Sequence, residues 1–255
     1  MTISQSAEAH ALTRPQKAYV WFACLSAACL LVSDVVGIKL FSIPLGFSIP
    51  VPWGDGGIRA IEHTCGMLTF PLTFIITDLV NDFYGKKAAR RIAYTSLSMG
   101  VLAFMVINLA QAMPRLDASF NVSQQAFDAV FGSAKGMYVA SLAAYLVGSL
   151  ADIFIFGVFK RLTGGRYIWL RATGSTIISQ FIDSCVVSYV AFHLWRTLYP
   201  DPGTPPAPLG EILKIAATGY MLKFCLALAA TPVIYLGHGF LRVVCGLTPI
   251  PAQPK

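Results

Sequence analysis

Six apolar stretches, each about 20–25 residues long, occupy most of this 255-residue chain. They lie near 18–38, 61–80, 92–113, 136–159, 173–195 and 212–236. At about 1.5 Å per residue, a helix of that length crosses about 30 Å of hydrocarbon. Lipid offers the backbone no hydrogen-bond partner, so segments that cross it are expected to be helical. Only 12% of the residues are charged and 56% are hydrophobic, whereas soluble domains are about 25% charged. A soluble globule of this size would lack a polar surface. The expected architecture is an all-α membrane protein, a bundle of six transmembrane helices. Residues 1–17 read as an N-terminal tail, 18–240 as the transmembrane domain and 241–255 as a C-terminal tail. The first apolar run has no small-residue cleavage site and is expected to stay as a span, not to be removed as a signal.

The formal net charge is +7. Its distribution points to membrane topology and not to nucleic acid. Lys86, Lys87, Arg90, Arg91, Lys160, Arg161, Arg166, Arg171, Arg14, Lys17, Arg242 and Lys255 share one side if there are six spans. Lys39, Arg59, Arg115, Lys135, Arg196 and Lys214 lie on the other. This twofold bias places both termini in the cytoplasm. The Pro- and Gly-rich loops 39–60 and 196–211 then face outward. The segment Phe41 to Trp53 alternates apolar residues with turn formers. It reads as an outer hairpin, a partly re-entrant lid or a plain extended loop. The six cysteines form no C-x-x-C pair and lie in or beside apolar runs, as free thiols do.

Several spans carry lone ionisable residues. Asp183 lies near the middle of the fifth and Lys223 near the middle of the sixth. A charge at mid-bilayer costs about 2.5–3.5 kcal/mol on insertion scales, so such residues face a polar cavity or each other. Thr176, Ser179, Gln180 and Asp183 recur at helical spacing and form one polar stripe. Asp183 and Lys223 read either as a structural ion pair or as ligands, and the two roles are compatible. Gly100, Phe104, Asn108 and Gln111 share a face of the third span, as packing polar groups or as ligands. Ser141, Tyr145, Gly148 and Asp152 share a face of the fourth. Asp152 either takes part in a pathway or orients the basic loop. Asp78 either gates or pairs with Arg90 or Arg91. Glu62 and His63 open the second span, and Asp34 lies near the outer end of the first. Asp78 precedes Lys86 by eight residues and Asp152 precedes Lys160 by eight, an echo that fits a helical-hairpin repeat. The sequence has no H-E-x-x-H, G-x-S-x-G or Walker loop, so no enzyme is expected, nor any cofactor or metal.

Longer motifs carry a resemblance. Phe70-Pro71-Leu72-Thr73-Phe74, Thr77-Asp78-Leu79 and Tyr84-Gly85-Lys86-Lys87-Ala88-Ala89-Arg90-Arg91-Ile92 resemble the hallmark segment of the queuosine precursor transporter family, also called the vitamin-uptake-like family. Asp152-Ile153-Phe154, Trp169-Leu170-Arg171, Ser175-Thr176, Gln180 and Asp183 resemble its later helical pair, and Lys223 and Thr231-Pro232 its last span. The outer loop 43–60 and Glu62-His63 depart from the family pattern. The resemblance implies import of 7-cyano-7-deazaguanine or 7-aminomethyl-7-deazaguanine across a bacterial inner membrane. The implied partners are that small molecule and the lipid bilayer, with no nucleic acid and with homo-oligomerisation left open.

The chemistry suits such a substrate. A deazaguanine presents N–H donors at N1 and the 2-amino group, which a carboxylate accepts, and an O6 acceptor. Asp183 or Glu62 would be the carboxylate, and Lys223, Gln180 or Asn108 the O6 partner. Phe70, Phe74 or Phe104 would form the ring platform, in a pocket between spans two, three, five and six. Asp78, Asp152 and Asp34 are the candidates for proton coupling or gating. An alternative is a substrate-capture subunit of an ATP-driven importer.

Overall fold

A computed structural model describes residues 12–49, 58–132, 135–201 and 203–251. The first helix, α1 (Arg14–Val36), starts where its sequence says it should. The Gln16 N–H donates to Thr13 Oγ1, and the Thr13 N–H donates to Gln16 Oε1. This reciprocal box satisfies two otherwise free donors, and Pro15 stands in the first turn, where no N–H is needed. Beyond α1, strands β1 (Leu40–Ile49) and β2 (Ile58–Thr64) pair antiparallel, with Leu40 opposite Thr64 and Ile43 opposite Ile61. The segment from Phe41 is therefore a hairpin; its tip, with Trp53, lies outside the described residues.

The stretch 61–80 is not one helix, and the fold is not purely α. Strand β2 runs into a 3₁₀ turn (Cys65–Leu68), and only then does α2 (Phe70–Phe83) begin. Pro71 explains the break. It has no N–H to donate to a turn before it, so a helix cannot run through it from upstream without losing a hydrogen bond, whereas in the first turn of a helix no N–H is needed. The 14 residues of α2 span about 21 Å at 1.5 Å per residue, short of the hydrocarbon thickness. The 3₁₀ turn that precedes α2 is tied to α1. Ser33 Oγ donates to the Gly66 carbonyl at 3.0 Å, and Thr69 Oγ1 to the Cys29 carbonyl at 3.2 Å. Cys29 lies about 10 Å from the end of α1 by helical rise, so the turn between β2 and α2 packs along the last two turns of α1.

Gly66 is required for this approach. A Cβ there would sit 2.8 Å from both the Ser33 carbonyl oxygen and its Oγ. Gly66→Ala is expected to destabilise the protein by about 1–3 kcal/mol through overpacking, read as a lower melting temperature in detergent. An unchanged melting temperature would mean that the hairpin base is not held against α1.

Gly85, at φ +86°, makes the tight turn from α2 into α3 (Lys86–Ala112); a positive φ of this kind favours glycine. A short helix α4 (Gln124–Phe131) precedes α5 (Lys135–Leu162). Helix α6 (Ile168–Tyr189) passes through a π-helical turn (Val190–Leu194) into α7 (Trp195–Leu198). The last helix, α8 (Leu209–Val243), runs through Pro232 and ends well past residue 236. Among the described residues, five helices are long and apolar enough to cross a membrane: α1, α3, α5, the continuous α6–α7 and α8.

Helix α6 packs along α5 and α8, α3 packs along α1 and α5, and the short α2 touches α1, α3, α5 and α8. One side of α2 supplies Ile75, Leu79 and Phe83 to a core with Phe156, Ala172, Ala230, Ile234 and Leu241. Its other side supplies Ile76 and Val80 to a core with Ala89, Ile92, Ala93 and Ile153. Large apolar side chains such as Trp21, Met105, Leu109, Leu236 and Val243 point outward, while Asp34, Asp78, Asp82, Asp152, Arg171, Gln180 and Lys223 are buried. Apolar outside and ionisable inside is the arrangement a lipid solvent imposes. All six cysteines are free. After α8 the chain folds back: the Leu247 N–H donates to the Leu241 carbonyl and the Ile250 N–H to the Asp82 carbonyl. Residues in the expected C-terminal tail thus pack against the end of α2.

Candidate functional site

The polar stripe on α6 faces the bundle. Thr176, Ser179 and Gln180 are buried, and Asp183, one turn on, accepts a hydrogen bond and ion pair from Lys223 of α8. Their side chains are 16% and 8% exposed. Gly148 of α5 makes room for this pair: a Cβ there would lie 3.1 Å from Asp183 Cβ. The two expected mid-span charges therefore neutralise each other, which limits the cost of removing both from water. The Lys223 ammonium also lies 5.3 Å from the centre of the Phe70 ring, within cation–π range. Phe70 and Phe74 of α2 form a ring pair with centres 4.4 Å apart.

Below the pair, a narrow crevice opens between α2, α6 and α8. It is lined by Phe70, Phe74, Asp78, Thr173, Thr176 and Ala227, among others, and in this conformation is too small for a bicyclic base. Polar groups in and next to it are under-used. Asp78 is buried with neither carboxylate oxygen hydrogen-bonded, and neither amide atom of the buried Gln180 has a partner. Asp152 of α5 accepts from Ser179 Oγ at 3.1 Å, and its Oδ2 is unpartnered. Buried polar groups left in this state are costly and call for a specific explanation. A polar ligand or water entering the crevice would supply one.

At the end of α2 near the Gly85 turn, Asp82 gathers three basic side chains. Lys160 Nζ of α5 donates to Oδ1 at 2.6 Å, and an Arg171 guanidinium nitrogen of α6 donates to Oδ2 at 2.5 Å. His238 Nε2 of α8 lies 3.3 Å from Oδ2. Asp82 is fully buried. Four helices thus meet on one carboxylate. This corrects the expected pairing of Asp78 with Arg90 or Arg91. Asp78 lies one turn deeper, and the cations that reach α2 come from α5 and α6 and go to Asp82. Asp152 likewise bonds Ser179, not the basic loop. Asp82 and His238 were not among the residues singled out in the sequence. The signal for Asp82 was its i, i+4 spacing from Asp78; that for His238 was hidden because the last helix extends past the expected boundary.

The structure divides the expected four-span pocket. Asp183, Lys223, Gln180, Phe70, Phe74 and Asp78 lie along one axis through α2, α6 and α8. Asn108 and Phe104 instead line a second crevice with Asp34, Lys135, Tyr138 and Phe131, between α1, α3 and α5. The Glu62 backbone pairs with Ser42 in the hairpin; its side chain lies outside the described residues. His63 Nδ1 accepts from the Thr64 N–H at 2.8 Å, and its Nε2 lies 3.6 Å from where a Cβ on Gly219 of α8 would sit. The eight-residue echo resolves into unlike halves: Lys160 pairs with Asp82, whereas Lys86 lies 5.0 Å from the centre of the Phe154 ring.

Long apolar helices that turn their ionisable side chains toward one another define a multi-pass membrane protein with a polar axis between its helices. The chain belongs to the family described as "Putative vitamin uptake transporter", whose sequence model matches residues 64–237, from the end of β2 through most of α8. It is 29% identical over 177 residues to the "Probable queuosine precursor transporter" of Bacillus subtilis (strain 168), covering 69% of this chain and 71% of that one. It is also 29% identical over 177 residues to the "Queuosine precursor transporter" of Escherichia coli (strain K12), covering 67% and 70%. The similarity to the "Probable queuosine precursor transporter" of Haemophilus influenzae is 30% over 135 residues, covering 52% and 54%. These relatives are named as transporters, not enzymes. No solved structure matches the chain significantly.

Proposed function

We infer that this protein imports queuosine precursors of the 7-deazaguanine type across the bacterial inner membrane by alternating access. The observation that carries the reading is the axis of α2, α6 and α8. There an aromatic pair and the unpartnered Asp78 border one crevice, and the ammonium–carboxylate pair and the unpartnered Gln180 follow along the same helices, α6 and α8. The N1 and 2-amino donors of the base suit a carboxylate, Asp183 or Asp78. Its O6 suits Lys223 or the Gln180 amide, and its flat face suits Phe70 or Phe74. Adenine presents the opposite edge and would leave the carboxylate unpaired, which favours the deazaguanine.

In this reading the described conformation is closed at both ends. The Asp183–Lys223 pair and the hairpin base close the outer side. The Asp82 cluster, with the folded-back residues up to Pro251, closes the cytoplasmic side. Asp78 and Asp152, between the two closures, act as gating residues. Helix α2 with the hairpin base makes the second of six crossings, and both termini lie in the cytoplasm, in keeping with the loop charges. No observation favours the rival reading of an ATP-driven capture subunit.

The test is uptake of radiolabelled 7-cyano-7-deazaguanine into proteoliposomes, with unlabelled guanine and adenine as competitors. Saturable uptake that resists adenine is expected, and absence of saturable uptake would sink the reading. Phe70→Ala is expected to weaken apparent affinity about tenfold through the lost ring face, with normal insertion; unchanged affinity would remove Phe70 from the site.

A further inference from the structure

The crevice between α1, α3 and α5 is separate from the axis through α2, α6 and α8; like the central crevice it is narrow in this conformation and must widen to admit a bicyclic base, but its chemistry is not that of packing. Asp34 is 8% exposed. Its Oδ1 accepts from Ser141 Oγ at 2.6 Å, but its Oδ2 has no partner. Lys135 and Asn108 line the same crevice, with the rings of Phe104, Tyr138 and Phe131. Phe104 and Tyr138 stand with ring centres 5.2 Å apart. The Tyr138 hydroxyl donates to the Gly100 carbonyl, which fixes that ring. Asn108 Nδ2 donates to the Phe104 carbonyl within its own helix, which leaves its Oδ1 for another donor. Phe131 ends the short helix α4, and Asp128 on that helix accepts from Gln111 Nε2 of α3 at 3.2 Å. Helix α4 is thereby tied over the crevice.

A buried carboxylate with a free oxygen, an ammonium on the same rim and aromatic walls complement one type of edge. That edge carries adjacent N–H donors beside a carbonyl. The donors go to Asp34, the carbonyl to Lys135, and the ring face to Phe104 or Phe131. A lone ion pair between Asp34 and Lys135 would not call for the aromatic wall. Asp34 lies at the end of α1 that leads into the hairpin, close to the outer surface in the topology above.

We propose that this crevice is a second binding site, on the outer side, for a planar heterocycle with a guanine-type edge, so that each chain holds two such molecules at separate positions. The proposal rests on the 7-deazaguanine reading for its substrate class. It places the first contact with that substrate beside α1 and α4, ahead of the central crevice.

Equilibrium binding of 7-cyano-7-deazaguanine to the purified full chain in detergent tests it, with guanine and adenine as comparators. Wild type is expected to bind two equivalents. Asp34→Asn is expected to lose one of them, or to weaken it at least about tenfold, the weight of a hydrogen bond to a charged group. Asp183→Asn is expected to retain the outer equivalent. Asn108→Ala and Lys135→Met provide the same readout should Asp34→Asn fail to fold, and each is expected to weaken the same equivalent. A single equivalent in wild type, or wild-type binding in Asp34→Asn or in both other variants, would overturn the second site and leave the transport reading intact. No binding and no uptake by wild type would overturn both.

Discussion

Asp82→Asn is expected to lower the stability of the detergent-solubilised protein by about 3–5 kcal/mol, the cost of removing one partner from a buried ion pair. The carboxylate is fully buried and receives Lys160, Arg171 and His238. With a neutral amide in its place, the Arg171 guanidinium and the Lys160 ammonium lose the anion that offsets their desolvation. Arg171 keeps one bond, from a guanidinium nitrogen to the Gly165 carbonyl, which satisfies a donor but not the charge. Asp78→Asn is the matched control. It lies one turn away, is equally buried and has no bonded partner, so its loss removes no pair and its effect on stability should be small. Chemical denaturation or thermal melting of the two variants side by side measures the difference. Equal losses would show that Asp82 is not the point where α2, α5, α6 and α8 are joined. In the alternating-access reading, Asp82→Asn also opens the cytoplasmic closure. A cysteine placed at Thr231 should then become reactive to a membrane-impermeant reagent from the cytoplasmic side.

Asp183→Asn and Lys223→Met are each expected to reduce uptake at least about a hundredfold, because each leaves the other charge unpaired in the bundle. Such a loss alone does not separate a ligand from a structural strut. The double variant Asp183→Asn with Lys223→Met does. It removes both charges together, so stability should return toward wild type, since replacing a whole buried pair is often neutral. Uptake should remain lost if the pair contacts the substrate. Normal uptake by the double variant, at normal membrane abundance, would reduce the pair to a structural role. Asn is isosteric with Asp, so the close approach of Gly148 to Asp183 is preserved in these variants and the change is one of charge alone.

The spans and the inward turn of Asp183, Gln180 and Lys223 were legible because hydrocarbon penalises a lone charge wherever the chain places it. The sequence leaves the pairing of Asp183 with Lys223 as one of two readings. The structure supplies the pairing, and with it the proximity of Phe70. Asp82 was hidden for a physical reason. In sequence it stands near the end of an apolar run beside a basic loop, where an acid is usually solvated. Only the packing of α5, α6 and α8 around α2 buries it and supplies three partners. Asn108 and Phe104 show the opposite failure. They share depth and chemistry with the central residues, but α3 packs against α1 and α5, so they line a different crevice.

The order of residues by itself settled that this chain spans a membrane several times, where its long helices run and which polar groups must turn inward. Those conclusions follow from length and transfer free energy, which depend only on local sequence. Tertiary structure decided that the second apolar stretch divides into a strand, a 3₁₀ turn and a short helix, and which inward groups meet. Neighbours in a bundle are fixed by how whole helix surfaces pack, through contacts such as Gly66 on Ser33 and Gly148 on Asp183, and no periodicity along one helix encodes the identity of the next.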